Sequence, residues 1–189
     1  MTTMFRFSSR PFFFPAKLLT AGLMTLSSLP LAAQPPASNN VSTQREAMRK
    51  LSFLAGRWSG PVTIMRGPGE PLHATQTEDV EYKLDGLVML IEGHTTSVGG
   101  QVLFSALATI SFDDVSRRYR FRAYNNGHYL DTDLSVSGNG FSWALAAGPA
   151  HVVNTMNLSA KGEWNEVTET ADGEHPSRRT MEMLLHRQP

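Results

Sequence analysis

Glu92 and His94 stand two residues apart, the spacing that puts both side chains on one face of a β-strand. A carboxylate beside an imidazole can serve as an acid–base pair or as a clamp for a polar ligand. Glu166 and Glu182 add carboxylates on two neighbouring predicted strands, and Arg120 and Arg122 add guanidiniums on an earlier one. With Trp143 as an apolar platform, these seven residues are the candidate ligand-binding set. A guanidinium fork among them would suit a carboxylate head group. The competing arrangement turns the charges outward, with Arg118, Arg120 and Arg122 paired to Asp131 and Asp133 across a hairpin.

Strings that announce catalysis or metal binding are missing. The six histidines, at 73, 94, 128, 151, 175 and 186, form no His-x-His or His-x-x-x-His pair. There is no Gly-x-Ser-x-Gly, Walker loop or Gly-x-Gly-x-x-Gly, and Gly67-Pro68-Gly69 reads as a hairpin. No catalytic residue, metal or cofactor is therefore assigned. The absence of cysteine excludes disulfides, thiolate metal sites and a Cys nucleophile. Seventeen basic against seventeen acidic residues argue against a basic nucleic-acid-binding face. The 189 residues, 41% hydrophobic, suffice for one domain with a real core.

Residues 1–33 carry Arg6, Arg10 and Lys17 and no acid, followed by an apolar run from Leu18 to Leu29 and then Pro30-Leu31-Ala32-Ala33. That order describes a secretory signal peptide, and the expected location is secreted or periplasmic. The run is too short to remain as a membrane anchor. Its removal takes three basic residues and leaves the mature chain near −3. Residues 34–41, Gln-Pro-Pro-Ala-Ser-Asn-Asn-Val, read as a flexible linker, with the folded domain over 42–189.

Ser42 or Thr43 is placed to cap a helix, with Glu46 completing a capping box on Thr43. Met48, Leu51 and Leu54 form its apolar stripe, and Gly56 is expected to stop it. Beyond Arg57 the period changes to two. Tyr119, Phe121 and Ala123 alternate with arginines, Phe141, Trp143 and Leu145 with small residues, and Met181, Met183 and Leu185 with polar ones. Nine groups of turn residues, from Gly67-Pro68-Gly69 to Asp172-Gly173, divide the stretch into ten strands. Leu87–Ile91 and Val102–Ile110 are apolar on both faces and are expected to be covered on both sides.

Ten strands with short turns favour an up-and-down order, and closure removes the edges that an open sheet would expose. The fold class is thus all-β: a ten-stranded antiparallel up-and-down barrel preceded by one short N-terminal helix. A sandwich is the structural rival.

The junction Leu51-Ser52-Phe53-Leu54-Ala55-Gly56-Arg57-Trp58 resembles the opening motif of the lipocalin-like (calycin) superfamily. The resemblance implies a tryptophan closing the barrel base, with an arginine from the last strand packed on it. Gly56, Trp58 and Arg187 match those structural positions. Further stretches are similar to small bacterial lipocalin-like domains without assigned function. They include Leu84-Asp85-Gly86, Ile91-Glu92-Gly93, Tyr119-Arg120-Phe121-Arg122 and Glu182-Met183-Leu184-Leu185-His186-Arg187. A related branch binds haem through a C-terminal histidine, where this chain has Arg178-Arg179-Thr180-Met181-Glu182.

The expected function is a non-catalytic exported barrel holding a small hydrophobic molecule with a polar head. No nucleic-acid partner and no membrane anchor are expected after cleavage. The alternatives are a lyase, isomerase or hydrolase using Glu92, His94 or Glu166, a haem-binding barrel, or a protein-interaction module.

Overall fold

The computed structural model describes residues 40–65, 67–173 and 175–189. The expected signal, 1–33, and nearly all of the linker lie outside the described residues. Helix α1, Val41–Arg49, begins directly after Asn40 with no side-chain cap. Ser42 and Thr43 therefore fall inside its first turn, and the expected capping box does not form; the Ser42 hydroxyl instead donates to Asn40 Oδ1 (3.1 Å). The chain then tightens into a 3₁₀ turn at Ser52–Leu54. Met48, Leu51 and Leu54 are fully buried, as the helical spacing predicts.

Ten strands follow: β1 (Gly56–Ile64), β2 (Leu72–Lys83), β3 (Val88–Thr96), β4 (Val102–Asp113) and β5 (Arg118–Asn125) form the first half. β6 (His128–Ser137), β7 (Gly140–Ala147), β8 (Ala150–Leu158), β9 (Trp164–Ala171) and β10 (Arg178–Arg187) form the second. Each pairs antiparallel with the next, and β10 returns to β1 with Trp58 opposite Arg187 and Val62 opposite Met183. The result is a closed barrel, so no edge strand remains.

Alternation sends one parity of each strand inward. Val80, Met89, Ile91, Ile110, Phe121, Leu134, Phe141, Met156, Met183 and Leu185 join the helix stripe in one buried cluster. Of the two segments that are apolar on both faces, Val102–Ile110 is covered only on the inner one, with outward-facing Leu107 39% exposed and Val102 56% exposed, whereas in Leu87–Ile91 the outward Val88 and Leu90 are half-buried. The helix lies across the barrel's end rather than along this outer wall. The inward tyrosines Tyr82 and Tyr119 donate their hydroxyls to the Met48 carbonyl (2.7 Å) and the Ala47 carbonyl (2.8 Å). The same two carbonyls also accept the backbone N–H groups of Leu51 (3.0 Å) and Lys50 (3.1 Å), so each tyrosine adds a second donor at the helix C-terminus.

Below the helix, Trp58 Nε1 donates to the Leu54 carbonyl (2.8 Å), and its ring meets Trp164 edge-on at 5.5 Å. The Arg187 guanidinium lies 4.1 Å from the Trp58 ring centroid and donates to the carbonyls of Phe53 (2.8 Å) and Ala55. Gly56 opens β1 at φ 121°, where a Cβ would stand 2.5 Å from Arg187 Nη1. Glycine is needed there for both the dihedral and the close approach. The three structural positions thus meet in one lock, with Gly56 starting the strand rather than ending the helix.

Candidate functional site

Above this plug the barrel encloses a cavity of about 600 Å³. Its walls are mostly apolar, with Ile91, Phe121, Trp143, Met181 and Met183 among them, and Asn125 and His128 stand at the opposite, open end. Phe121 and Trp143 stack at 5.8 Å with an interplanar angle of 20°.

A polar cluster interrupts these walls. β2 contributes Gln76 and Glu78, β3 Thr95, β8 Asn154, and β9 Glu166 and Thr168. Gln76 Nε2 donates to Glu78 Oε1 (2.8 Å), and the Thr95 hydroxyl donates to Gln76 Oε1. Asn154 Nδ2 donates to Glu166 Oε1 (2.8 Å) and Thr168 Oγ1 (3.0 Å), while Trp164 Nε1 donates to Glu166 Oε2 (2.7 Å). Opposite Glu78, β3 carries Gly93. A Cβ at Gly93 would stand 2.7 and 2.9 Å from the two Glu78 carboxyl oxygens, so the missing side chain makes room for the carboxyl to lie on the wall.

Both carboxyls hold their protons more tightly than usual. Burial, reinforced by the negative charge of Glu166, pushes Glu78 up to about 8. Burial also raises Glu166, against the opposing hydrogen bonds from Trp164 and Asn154. Glu78 can therefore take up or release a proton near neutral pH inside a mostly apolar cavity.

Of the seven candidate binding residues, Trp143 and Glu166 line this cavity. The other five face outward, because they occupy the parity opposite the apolar lining. Glu92 and His94 alternate with Ile91, Gly93 and Thr95, and they border a groove of about 470 Å³ on the outer wall with Leu107 and Tyr124. His94 Nδ1 is 2.9 Å from Ser105 Oγ in that groove. Glu182 alternates with Met181 and Met183 and pairs with Arg179 at 2.9 Å.

Arg120 and Arg122 belong to an external ladder. Arg120 Nη1 reaches Asp133 (2.6 Å), Arg120 Nη2 reaches Asp131, and Arg122 Nε reaches Asp131 (2.8 Å). The guanidinium fork expected in the lumen is thus spent on aspartates outside it. His186 also faces outward, 4.0 Å from Glu163.

The polar residues overlooked in the sequence, Gln76, Glu78, Thr95, Asn154 and Thr168, carried a readable signal. Gln76 and Glu78 share the parity of Ala74, Val80 and Tyr82, and Asn154 shares that of Val152 and Met156.

Fold and cavity define a closed, ten-stranded antiparallel barrel, plugged at one end by a helix and hollow above it. The crystal structure of Rv2717c from M. tuberculosis has a similar fold, with a TM-score of 0.58 and 16% identity over 76% of this chain and 98% of that one. No protein-family model and no curated protein matches the sequence.

Proposed function

We propose that this chain is an exported, non-catalytic barrel of the lipocalin-like kind that carries a small, largely apolar molecule, head inward, in its lumen. The observation that supports this most is the cavity itself. At about 600 Å³ it falls within the roughly 300–1,000 Å³ of small-molecule sites, with apolar walls and a few convergent polar groups. The plug of Met48, Leu51, Leu54, Trp58 and Arg187 gives the lumen a floor, which a carrier needs and a pore would lack. Export rests on the basic, then apolar, then small-residue order of 1–33.

The acid–base enzyme reading called on Glu92, His94 and Glu166, which the barrel wall separates: two lie outside and one inside. Native mass spectrometry of protein purified from its own host tests the carrier reading. The expected result is an N-terminus near Gln34 and a non-covalent adduct lost on denaturation. Repeated absence of any adduct, together with no uptake of the neutral apolar dye Nile red, would overturn it.

A further inference from the structure

We infer that the head of the lumenal guest is uncharged and accepts a hydrogen bond, a carbonyl of the ketone, ester or amide kind, with the Glu78 carboxyl as its donor. This rests on the carrier reading and narrows it to a class of ligand.

The direction of a hydrogen-bond chain on the inner wall leads there. The Thr95 hydroxyl donates to Gln76 Oε1, and Gln76 Nε2 donates to Glu78 Oε1 (2.8 Å). The Thr77 carbonyl, 3.4 Å from the same nitrogen, can only accept, so it fixes which end of the amide is which. With Oε1 taken up as an acceptor, the proton of a neutral carboxyl belongs on Oε2, and the free end of the chain is a donor. Oε2 has no partner among the described residues, and it is not sealed off as Asn154 Oδ1 is. Glu78 is half-buried by area and lines the cavity, so the surface it keeps faces the lumen.

The wall beside it leaves room for a head group. Gly93 faces Glu78 in the register and Ala106 faces Gly93, so the carboxyl has nothing larger than a methyl group on that side. Glu166 is not a competing anchor, because its two oxygens already accept from Asn154 and Trp164.

Charge argues the same way. No lysine or arginine is among the described residues lining the lumen. Arg187 is tied to the carbonyls of Phe53 and Ala55, and Arg120 and Arg122 are tied to aspartates on the outer wall. A carboxylate head would therefore enter beside two carboxyls with no cation to receive it. An ammonium head would require Glu78 to ionise against the burial that retains its proton. A carbonyl oxygen has no proton of its own and carries no charge, which makes it the complement of a neutral donor.

Facing Glu78 across the lumen is Glu166 on β9. Towards the plug lie Tyr82 and Tyr119, whose hydroxyls are held by helix carbonyls, and His128 stands at the mouth. The segments flanking Glu78 on β1 and β3 turn only uncharged side chains inward: Trp58 and Val62 on one, Ile91, Gly93 and Thr95 on the other. Asp79 and Glu81 on β2 and Glu92 on β3 point outward. The donor exists only while Glu78 is protonated, so a carbonyl guest should bind well below about pH 8 and weaken above it.

The test uses three ten-carbon probes, 2-decanone, decylamine and decanoic acid, each displacing Nile red from the full-chain protein, with the dye's own affinity measured at every pH. At pH 7 the ketone is expected to bind several-fold tighter than the amine or the acid. The ketone does not titrate, so a several-fold loss of its affinity between pH 7 and 9 reports the protein's donor. Glu78→Ala should weaken the ketone roughly tenfold at pH 7. Glu78→Gln, which keeps an N–H to donate, should restore most of that affinity and remove its pH dependence, whereas Arg122→Ala on the outer wall should change neither. Decylamine or decanoic acid binding at pH 7 as tightly as the ketone, a ketone affinity level from pH 7 to 9, or one untouched by Glu78→Ala would overturn the carbonyl head while leaving the carrier reading standing. Failure of all three probes and of Nile red to bind would remove both.

Discussion

Asp131 and Asp133 stand on the outer face of β6, and Glu78 and Glu166 on the inner faces of β2 and β9, yet the same type of group behaves oppositely at the two places. Outside, hydrogen bonds from Arg122 and Arg120 hold the Asp131 carboxyl below the usual range, and those from Arg118 and Arg120 do the same for Asp133. Water screens this ladder, and each carboxylate has guanidinium partners. Inside, burial dominates and no guanidinium lines the lumen among the described residues, so Glu78 and Glu166 are pushed upward. A shift of one residue along a strand exchanges these environments. The outer wall spends its charges on itself; the inner wall keeps its carboxyls protonated instead.

The largest effect should come from breaking the floor of the lumen. Trp58→Ala removes a side chain only 1% exposed and leaves a hole beneath Arg187 and beside Trp164. Urea unfolding should show a loss of about 3–5 kcal/mol. A loss below about 1 kcal/mol would mean that the indole is not a packed part of the plug.

The inner wall should next reveal itself through pH. Glu78 ordinarily ionises near 4.5, whereas in the barrel it keeps its proton to about 8. Between these values the unfolded chain binds fewer protons than the folded one, so the stability of the ligand-free protein should fall as pH rises from about 5 to 8. The slope for one such group is at most about 1.4 kcal/mol per pH unit. Glu78→Gln should flatten the fall and make the variant more stable than the parent at pH 8. A parent profile that is level over this range would contradict the buried placement. For Asp131 and Asp133 the sign reverses: their contribution is present above the usual carboxylate range and lost as acid protonates them below it.

Gly93→Ala sharpens the comparison by pushing the Glu78 carboxyl off the wall. The added carbon would stand 2.7 Å from a carboxyl oxygen, for an expected cost of about 1–3 kcal/mol. In a Glu78→Ala background the same change should cost much less, and a double-mutant cycle would report that coupling. Arg122→Ala, on the exposed ladder, should have the smallest effect. Its thermal transition should move little and move less still in high salt, because that pairing is already screened.

Much of this was legible in the chain. The nine turn groups separate the ten strands in the places observed, from Gly67-Pro68-Gly69 between β1 and β2 to Asp172-Gly173 between β9 and β10. The parity of Met181 and Met183 already sends Glu182 outward, and that of Phe121 and Ala123 already sends Arg120 and Arg122 outward. Glu92 and His94 obeyed the spacing rule that drew attention to them, but spacing says only that they share a face. Glu78 escaped notice because it sits among alternating polar residues, Thr75, Thr77, Asp79 and Glu81, that disguise the inward set.

What the sequence determined by itself is therefore local: the strand rhythm, the two-residue parity of each segment, and the helix stripe of Met48, Leu51 and Leu54. Those follow from backbone geometry and turn chemistry acting over a few residues. Which inward residues meet was decided only by tertiary structure. The pairing of β10 with β1 in one register closes the sheet, sets the width of the lumen, and brings Glu78 on β2 and Glu166 on β9 within electrostatic reach of each other. Parity is a property of one strand, but closure depends on the stagger accumulated over all ten, which no single segment encodes.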